Sequence, residues 1–149
     1  MKTTGRSILP ALLALAFASG LARDVLAGEI EVKALNRGPS GVLVFAPELV
    51  RIGPGESINF VATDKGHEVH SVPGMIPEGA QHFQGGMNQD LKVSFTVPGV
   101  YVVACRPHAA MGMVAVIVVG EPLNLGRIDP GTLTGKARGK LESLLASLK

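Results

Sequence analysis

Two apolar runs joined by a short loop constrain the fold of this chain more than any other feature of its sequence. Residues 100–105 and 113–119 are apolar, Pro98 and Gly99 precede the first run, and Gly112 and Gly120 bound the second. Short apolar runs between turn residues are typical of buried β-strands. The loop between the runs is therefore expected to join two adjacent strands of a packed core.

Segments of alternating polarity precede this pair. The alternation predicts half-buried strands at 29–35, 57–62 and 91–97. Strands are also predicted at 42–45 and 49–52, with a further short strand at 68–72. Two prolines and four glycines in 73–86 predict a long loop. Short strands that recur about every ten residues predict an all-β sandwich or barrel.

The composition changes after Glu121. An amphipathic helix that caps the sandwich is predicted from leucines at helical spacing, namely Leu141, Leu144, Leu145 and Leu148. Dimerisation or membrane contact is the alternative role for this leucine stripe. We predict a single domain over residues 28–149, with a β-sandwich at 28–120 and a helical extension at 121–149.

The N-terminus has the layout of a secretory signal peptide. Lys2 and Arg6 precede an uncharged run over 7–22, and V-L-A follows at 25–27. We predict a signal peptide at 1–27 that is cleaved after Ala27, or otherwise after Ala22, and an uncleaved anchor is the alternative. Its removal takes three of the 14 basic and one of the 12 acidic residues, which leaves 11 of each. This neutral mature chain argues against nucleic-acid binding.

The loop between the two apolar runs carries Cys105 and His108, and Met113 follows at its end. Another imidazole, that of His67, lies at the end of an earlier predicted strand. Taken singly, each of these residues is more often a core or loop residue. Together, two imidazoles, one thiolate and a weak thioether form the donor set of a blue-copper electron-transfer site. We therefore predict one copper ion bound by His67, Cys105, His108 and Met113.

Other uses of these donors are less favoured. Structural zinc sites close with Cys and His and do not use a thioether. The absence of a C-x-x-C-H sequence excludes haem attachment. A nucleophilic Cys/His pair stays open as an alternative, although no family-specific signature surrounds Cys105. The prediction is therefore a carrier and not an enzyme.

Three stretches resemble pseudoazurins, which are cupredoxins: T-D-K-G-H at 63–67, G-M-I-P-E-G-A at 74–80 and P-G-V-Y-V-V-A-C-R-P-H-A-A-M-G-M at 98–113. The resemblance spans the mature chain, including the helical tail. It implies a Greek-key β-sandwich of about eight strands and a type 1 copper site at the positions of His67, Cys105, His108 and Met113.

The same resemblance implies a monomeric periplasmic electron carrier that has no membrane contact once the signal peptide is cleaved. Its implied partners are redox proteins: a cytochrome-type donor, and nitrite reductase or a similar denitrification enzyme as acceptor. A periplasmic copper-delivery or storage protein is the alternative function.

Two residues beside the ligand positions depart from the family pattern. Glu68 stands where the family usually has Asn, and Arg106 where it often has Thr. Because their charges are opposite, we predict a carboxylate-guanidinium pair, in its strongest form bidentate, between the two ligand loops. The family resemblance also implies a ring of lysines that attracts acidic partners. Few of these lysines are present here, namely Lys65, Lys33 and Lys92.

Small or apolar residues, Ala109, Ala110 and Met111, follow His108. They predict an exposed apolar patch around the imidazole edge, where a partner could dock. The alternative places Met111 in the core. His70 and His82 have no sulfur neighbours in the sequence and are predicted to be surface histidines.

Overall fold

Eight strands form two sheets in the structure, a computed structural model that describes residues 29–149. The strands are β1 (Ile30–Gly38), β2 (Gly41–Ala46), β3 (Leu49–Ile52), β4 (Ser57–Val61), β5 (His70–Ser71), β6 (Leu91–Ser94), β7 (Gly99–Ala104) and β8 (Val114–Val119). The first sheet has the order β2-β1-β4-β6 and the second β3-β8-β7-β5. The predicted all-β class is confirmed. The predicted signal peptide at 1–27 lies outside the described residues.

Strand pairing explains how distant segments meet. In the first sheet β1 is antiparallel to β2 and parallel to β4, and β4 is antiparallel to β6. In the second sheet β8 is antiparallel to β7 and parallel to β3, while β5 pairs with β7. Since β2 and β3 belong to different sheets, the chain passes from one sheet to the other at Pro47–Glu48.

The central strands β7 and β8 are buried along their whole length. One face, which includes Tyr101, Val103 and Cys105, packs in the cluster between the sheets. The other face, which includes Val100 and Val102, packs in a second cluster with the C-terminal helix. Cover on both faces accounts for the continuous apolar runs, because neither face of these strands meets water.

The C-terminal extension covers the outer face of the second sheet. Its helix α1 is Lys136–Ala146, in which Leu141 and Leu145 are buried. Leu144 and Leu148 are half-buried and pack against the same cluster. The predicted capping role of the leucine stripe is thereby confirmed. Short 3₁₀ helices precede α1 at Leu125–Arg127 and Pro130–Thr132.

The observed strand ends differ from the predicted ones, and the largest shifts are in β1, β5 and β6. β1 runs to Gly38 because pairing with β2 continues to the Gly38–Gly41 end of the hairpin. β5 is limited to two residues, His70 and Ser71. β6 ends at Ser94, after which Phe95 exchanges backbone hydrogen bonds with Gly55 and Glu56 at 2.7 and 2.9 Å.

Candidate metal centre

The loop that follows β7 holds two donors in a single 3₁₀ turn. Cys105 caps a 3₁₀ helix over Arg106–Met111, and the His108 N–H donates to the Cys105 carbonyl at 3.1 Å. The Cys105 N–H donates to the Met113 carbonyl at 3.0 Å, and the Met113 N–H donates to the His108 carbonyl at 3.3 Å. These bonds fix the loop across its base, so its donors are held before any metal binds.

The third donor, His67, comes from the loop after β4. Its carbonyl accepts from the Asn88 N–H at 2.8 Å, and the Asn88 amide oxygen accepts from the Gly66 N–H at 2.6 Å. Gly66 has φ +93°, a conformation that glycine adopts without steric cost. Asn88 thus holds the main chain at two points, the Gly66 N–H and the His67 carbonyl.

The three donor atoms converge. The Cys105 Sγ lies 3.7 Å from His67 Nδ1 and 3.6 Å from His108 Nδ1, and the two Nδ1 atoms are 3.2 Å apart. A metal bonded at about 2.0 Å to nitrogen and about 2.3 Å to sulfur separates its donors by about 3 to 4 Å. The observed triangle therefore fits one metal ion bound by two nitrogens and one sulfur.

The hydrogen bond on the far side of His67 sets its tautomer. His67 Nε2 donates to the Asn36 amide oxygen at 3.0 Å. With the proton on Nε2, the lone pair of Nδ1 faces Cys105 and is free to bind a metal. No local feature of the sequence indicates this role for Asn36, because its contact depends on the pairing of β1 with β4.

Burial controls the protonation of the donors. His67 and Cys105 are fully buried, while His108 is partly exposed. Burial lowers the pKa of His67, and the nearby His108 lowers it further, against an opposing effect of Asp64. Burial also raises the pKa of the Cys105 thiol, which main-chain N–H groups of Glu68 and His108 oppose. A metal entering the site therefore meets a neutral imidazole and must displace a proton from the thiol.

Comparison with known proteins places this site in a family. Residues 32–120 match the family described as copper binding proteins, plastocyanin/azurin family. A pseudoazurin of Methylorubrum extorquens is 48% identical over 114 residues, which are 76% of each chain. A pseudoazurin of Paracoccus pantotrophus is 42% identical over 129 residues, 86% of this chain and 89% of the relative.

A solved structure agrees with the sequence matches. Native pseudoazurin from Hyphomicrobium denitrificans superposes with a TM-score of 0.76 at 36% identity, over 80% of this chain and 97% of that one. This chain belongs to the pseudoazurin family. Its cofactor is copper, and the His67, Cys105 and His108 cluster is a donor set suited to that metal.

Met113 is the fourth ligand that the sequence predicts. It is fully buried and belongs to the same cluster between the sheets as Cys105. The carbonyl bond to the Cys105 N–H holds its backbone beside the thiol.

Glu68 and Arg106, the two residues that depart from the pseudoazurin pattern, lie close together in the structure. Glu68 Oε1 lies 3.1 Å from Arg106 Nε, so the predicted ion pair between the ligand loops forms. It is not bidentate, because Arg106 Nη2 donates instead to the Gln84 side-chain oxygen at 2.8 Å. The two partners differ in exposure: the Glu68 side chain is 10% exposed and that of Arg106 is 60%.

The prediction for His70 is wrong and that for His82 is confirmed. His70 is half-buried, and its Nδ1 lies 3.8 Å from Glu68 Oε1 with no hydrogen-bond partner. Burial lowers the pKa of His70, as does Arg106, while Glu68 opposes them. His82 is exposed, as predicted. The burial of His70 could not be predicted from sequence spacing, because it depends on the pairing of His70 with Gln84 from another segment of the chain.

Exposed apolar residues lie on the ligand loop and on the loop beside His67. Met111 is 52% exposed and Ala110 is also exposed, so the alternative that placed Met111 in the core is excluded. Met87, which is 46% exposed, precedes the Asn88 that holds His67. We call Met87, Ala110 and Met111 the apolar surface.

Proposed function

We propose that this chain is a blue-copper electron carrier whose metal is bound by His67 Nδ1, Cys105 Sγ, His108 Nδ1 and the Met113 thioether. The observation that carries the proposal is the triangle of two nitrogens and one sulfur, with sides of 3.2, 3.6 and 3.7 Å. Copper in this set supplies a couple between Cu(II) and Cu(I), because soft sulfur stabilises Cu(I) while imidazole suits both oxidation states.

The protein contributes rigidity to this chemistry. Both ligand loops are held by backbone hydrogen bonds, and the Asn36 and Asn88 side chains add further restraints. A ligand set that moves little between oxidation states keeps the reorganisation on electron transfer small. No chemical bond of a substrate has to be made or broken, so we assign the chain a carrier role and not an enzymatic one.

The donor that lies nearest to solvent defines the exit for electrons. Of the three clustered donors, only His108 is partly exposed. Ala110 and Met111 of the apolar surface lie on the same loop as His108, and exposed apolar residues of this kind often mark contact sites. Lys65 and Lys136 are exposed on segments that adjoin the ligand loops, next to Gly66 and Gly112 respectively. We propose that a redox partner with an acidic rim docks here.

We further propose a periplasmic location, a signal peptide at 1–27 and a monomeric state. The partners proposed are a cytochrome-type donor and nitrite reductase or a similar denitrification enzyme as acceptor. Within residues 29–149, none of the helices has the length and apolar character needed to cross a membrane.

The burial of the donors favours a carrier over a copper-delivery or storage protein. His67, Cys105 and Met113 are fully buried, so an acceptor could reach the metal only past the partly exposed His108. A carrier should retain its copper in the presence of a chelator at stoichiometric concentration. Rapid and complete loss of copper under these conditions would support the delivery function instead.

Visible spectroscopy tests the ligand assignment. The copper-loaded protein, residues 28–149, should show an intense blue or green charge-transfer absorption that disappears on reduction. Cys105→Ser should lack the absorption, because the thiolate is its source. A colourless wild-type protein under oxidising conditions would refute the assignment.

A further inference from the structure

The C-terminal extension touches the ligand loop as well as the sheet. Gly135, the residue before α1, has φ +60° and ψ −140°, a region that side chains rarely enter. A Cβ atom at this position would overlap the carbonyl oxygen of Ala110 and lie 3.1 Å from its carbonyl carbon. The two backbones are therefore in direct contact, with no space for a side chain between them.

A second contact lies two residues further along the loop. Gly112 has φ +100°, and a Cβ atom there would lie 3.4 Å from the Lys136 Cβ and 3.8 Å from the Lys136 carbonyl oxygen. Ala109 also packs against the apolar cluster beneath α1. The extension thus contacts residues 109–112, which are the segment between the proposed ligands His108 and Met113.

The extension has anchors of its own, independent of the loop. The buried Asn124 side chain accepts from the Val100 N–H at 2.6 Å and donates to the Val100 carbonyl at 2.9 Å. Lys140 Nζ lies 2.8 and 2.9 Å from the two carboxylate oxygens of Glu48, the residue before β3. Leu141 is fully buried against the sheet. Because it is fixed at these points, the extension can resist a displacement of the loop.

We propose that the extension positions the copper ligands, with Gly135 as the positioning residue that sets the place of Ala110. Ala110 follows His108 by two residues and precedes Met113 by three. A displacement of the Ala110 peptide therefore moves both the His108 imidazole and the Met113 thioether. Metal sites tolerate ligand displacements of only about 0.5 Å before their properties change. The proposal rests on the ligand assignment of the proposed function.

Paired glycine substitutions test the proposal. Gly135→Ala places a methyl group against Ala110, whereas Gly139→Ala adds the same methyl group in α1 with nothing within 4 Å. The copper-loaded Gly135→Ala protein should show a shifted charge-transfer absorption. Its redox equilibrium constant should change about twofold or more, which corresponds to about 18 mV for a one-electron couple. Gly139→Ala should leave both quantities at the wild-type values.

The outcomes separate a failure of the positioning role from a failure of the ligand assignment. A Gly135→Ala protein with a lower melting temperature but wild-type absorption and potential overturns the inference, since the glycine then serves folding alone. Wild-type protein without the charge-transfer absorption refutes the ligand assignment itself.

A second variant decides the matter if Gly135→Ala does not fold. Lys140→Met removes the ion pair with Glu48 and adds no atom near the loop. In the Cu(I)-loaded protein, hydrogen exchange of the amides at 109–113 should become about threefold faster or more than in wild type. Faster exchange confined to α1, with the loop unchanged, would overturn the inference.

Discussion

The ion pair between Glu68 and Arg106 offers a quantitative test of how the ligand loops are held together. The pair joins the residue after His67 to the residue after Cys105, with Oε1 and Nε 3.1 Å apart. Glu68→Gln and Arg106→Thr each remove one charge, and the double variant removes both. If the pair links the loops, the effects on the free energy of unfolding will not be additive.

The size of the coupling follows from distance and exposure. Unit charges 3.1 Å apart interact by about 1.3 kcal/mol at the dielectric constant of water and about 5 kcal/mol at an effective value of about 20. Arg106 is 60% exposed, which places the pair near the lower figure, and fixing the side chain costs entropy. We therefore expect a coupling free energy of about 1 kcal/mol.

The charges should also act on the metal in opposite directions. Removing the negative charge of Glu68 disfavours the more positive oxidation state, so Glu68→Gln should raise the reduction potential. Arg106→Thr should lower it for the converse reason. These signs depend on charge and not on folding, so they separate an electrostatic effect on copper from a general loss of stability.

Chemical denaturation of the copper-loaded proteins supplies the free energies, and a second pair on the same molecule supplies the control. Glu78 and Arg127 lie 3.4 Å apart, but both side chains are mostly exposed, 87% and 68%. The cycle of Glu78→Gln and Arg127→Thr should give a coupling of about 0.3 kcal/mol or less. If the Glu68–Arg106 cycle is additive, or gives no more than this control, the ion pair does not hold the loops together.

Three further predictions concern the surface, the tautomer and pH. Met111→Lys should slow electron transfer to a partner protein and leave the visible spectrum nearly unchanged, because Met111 is exposed; a collapsed spectrum would contradict its exposed position. Asn36→Ala should weaken copper binding by about 10- to 100-fold, since His67 loses the acceptor that fixes its tautomer; unchanged affinity in a competition titration would show that the bond has no such role. Burial and Arg106 hold the folded-state pKa of His70 below the ordinary value of 6.5, although Glu68 opposes them. Below pH 6.5 the unfolded chain therefore binds more protons, and stability falls as the pH drops toward the folded-state pKa. His70→Gln should reduce this loss of stability at low pH, measured by denaturation of the copper-loaded protein. A pH dependence of stability identical to that of wild type would contradict the role given to His70.

The sequence allowed much of the fold to be predicted because the relevant signals are local. Alternating polarity located β1, β4 and β6, and the unbroken apolar runs indicated that β7 and β8 are buried. Strand ends were less predictable, because they depend on partners elsewhere in the chain. The first strand is predicted to end at residue 35, yet β1 continues to Gly38 through its pairing with β2.

In the candidate site, too, local sequence signals indicated some residues and long-range contacts determined others. Residue chemistry and a three-residue spacing indicated the Cys105 and His108 donors, and the structure brings His67 into the same cluster. The ligand role of Met113 stays a prediction. Asn36, Asn88 and Gly135 could not be found from spacing, because each acts on a residue 20 or more positions away through contacts that only the folded chain creates.

The most direct test of the central claim is a reductive titration of copper-loaded protein followed at its visible charge-transfer band. The account predicts an intense band in the oxidised protein that disappears with one electron per copper, and no such band in Cys105→Ser. The Met113→Ala variant should retain the band with an altered wavelength or intensity, because the thioether is the weak donor of the set. A colourless oxidised protein, or a band that persists in Cys105→Ser, would contradict the account.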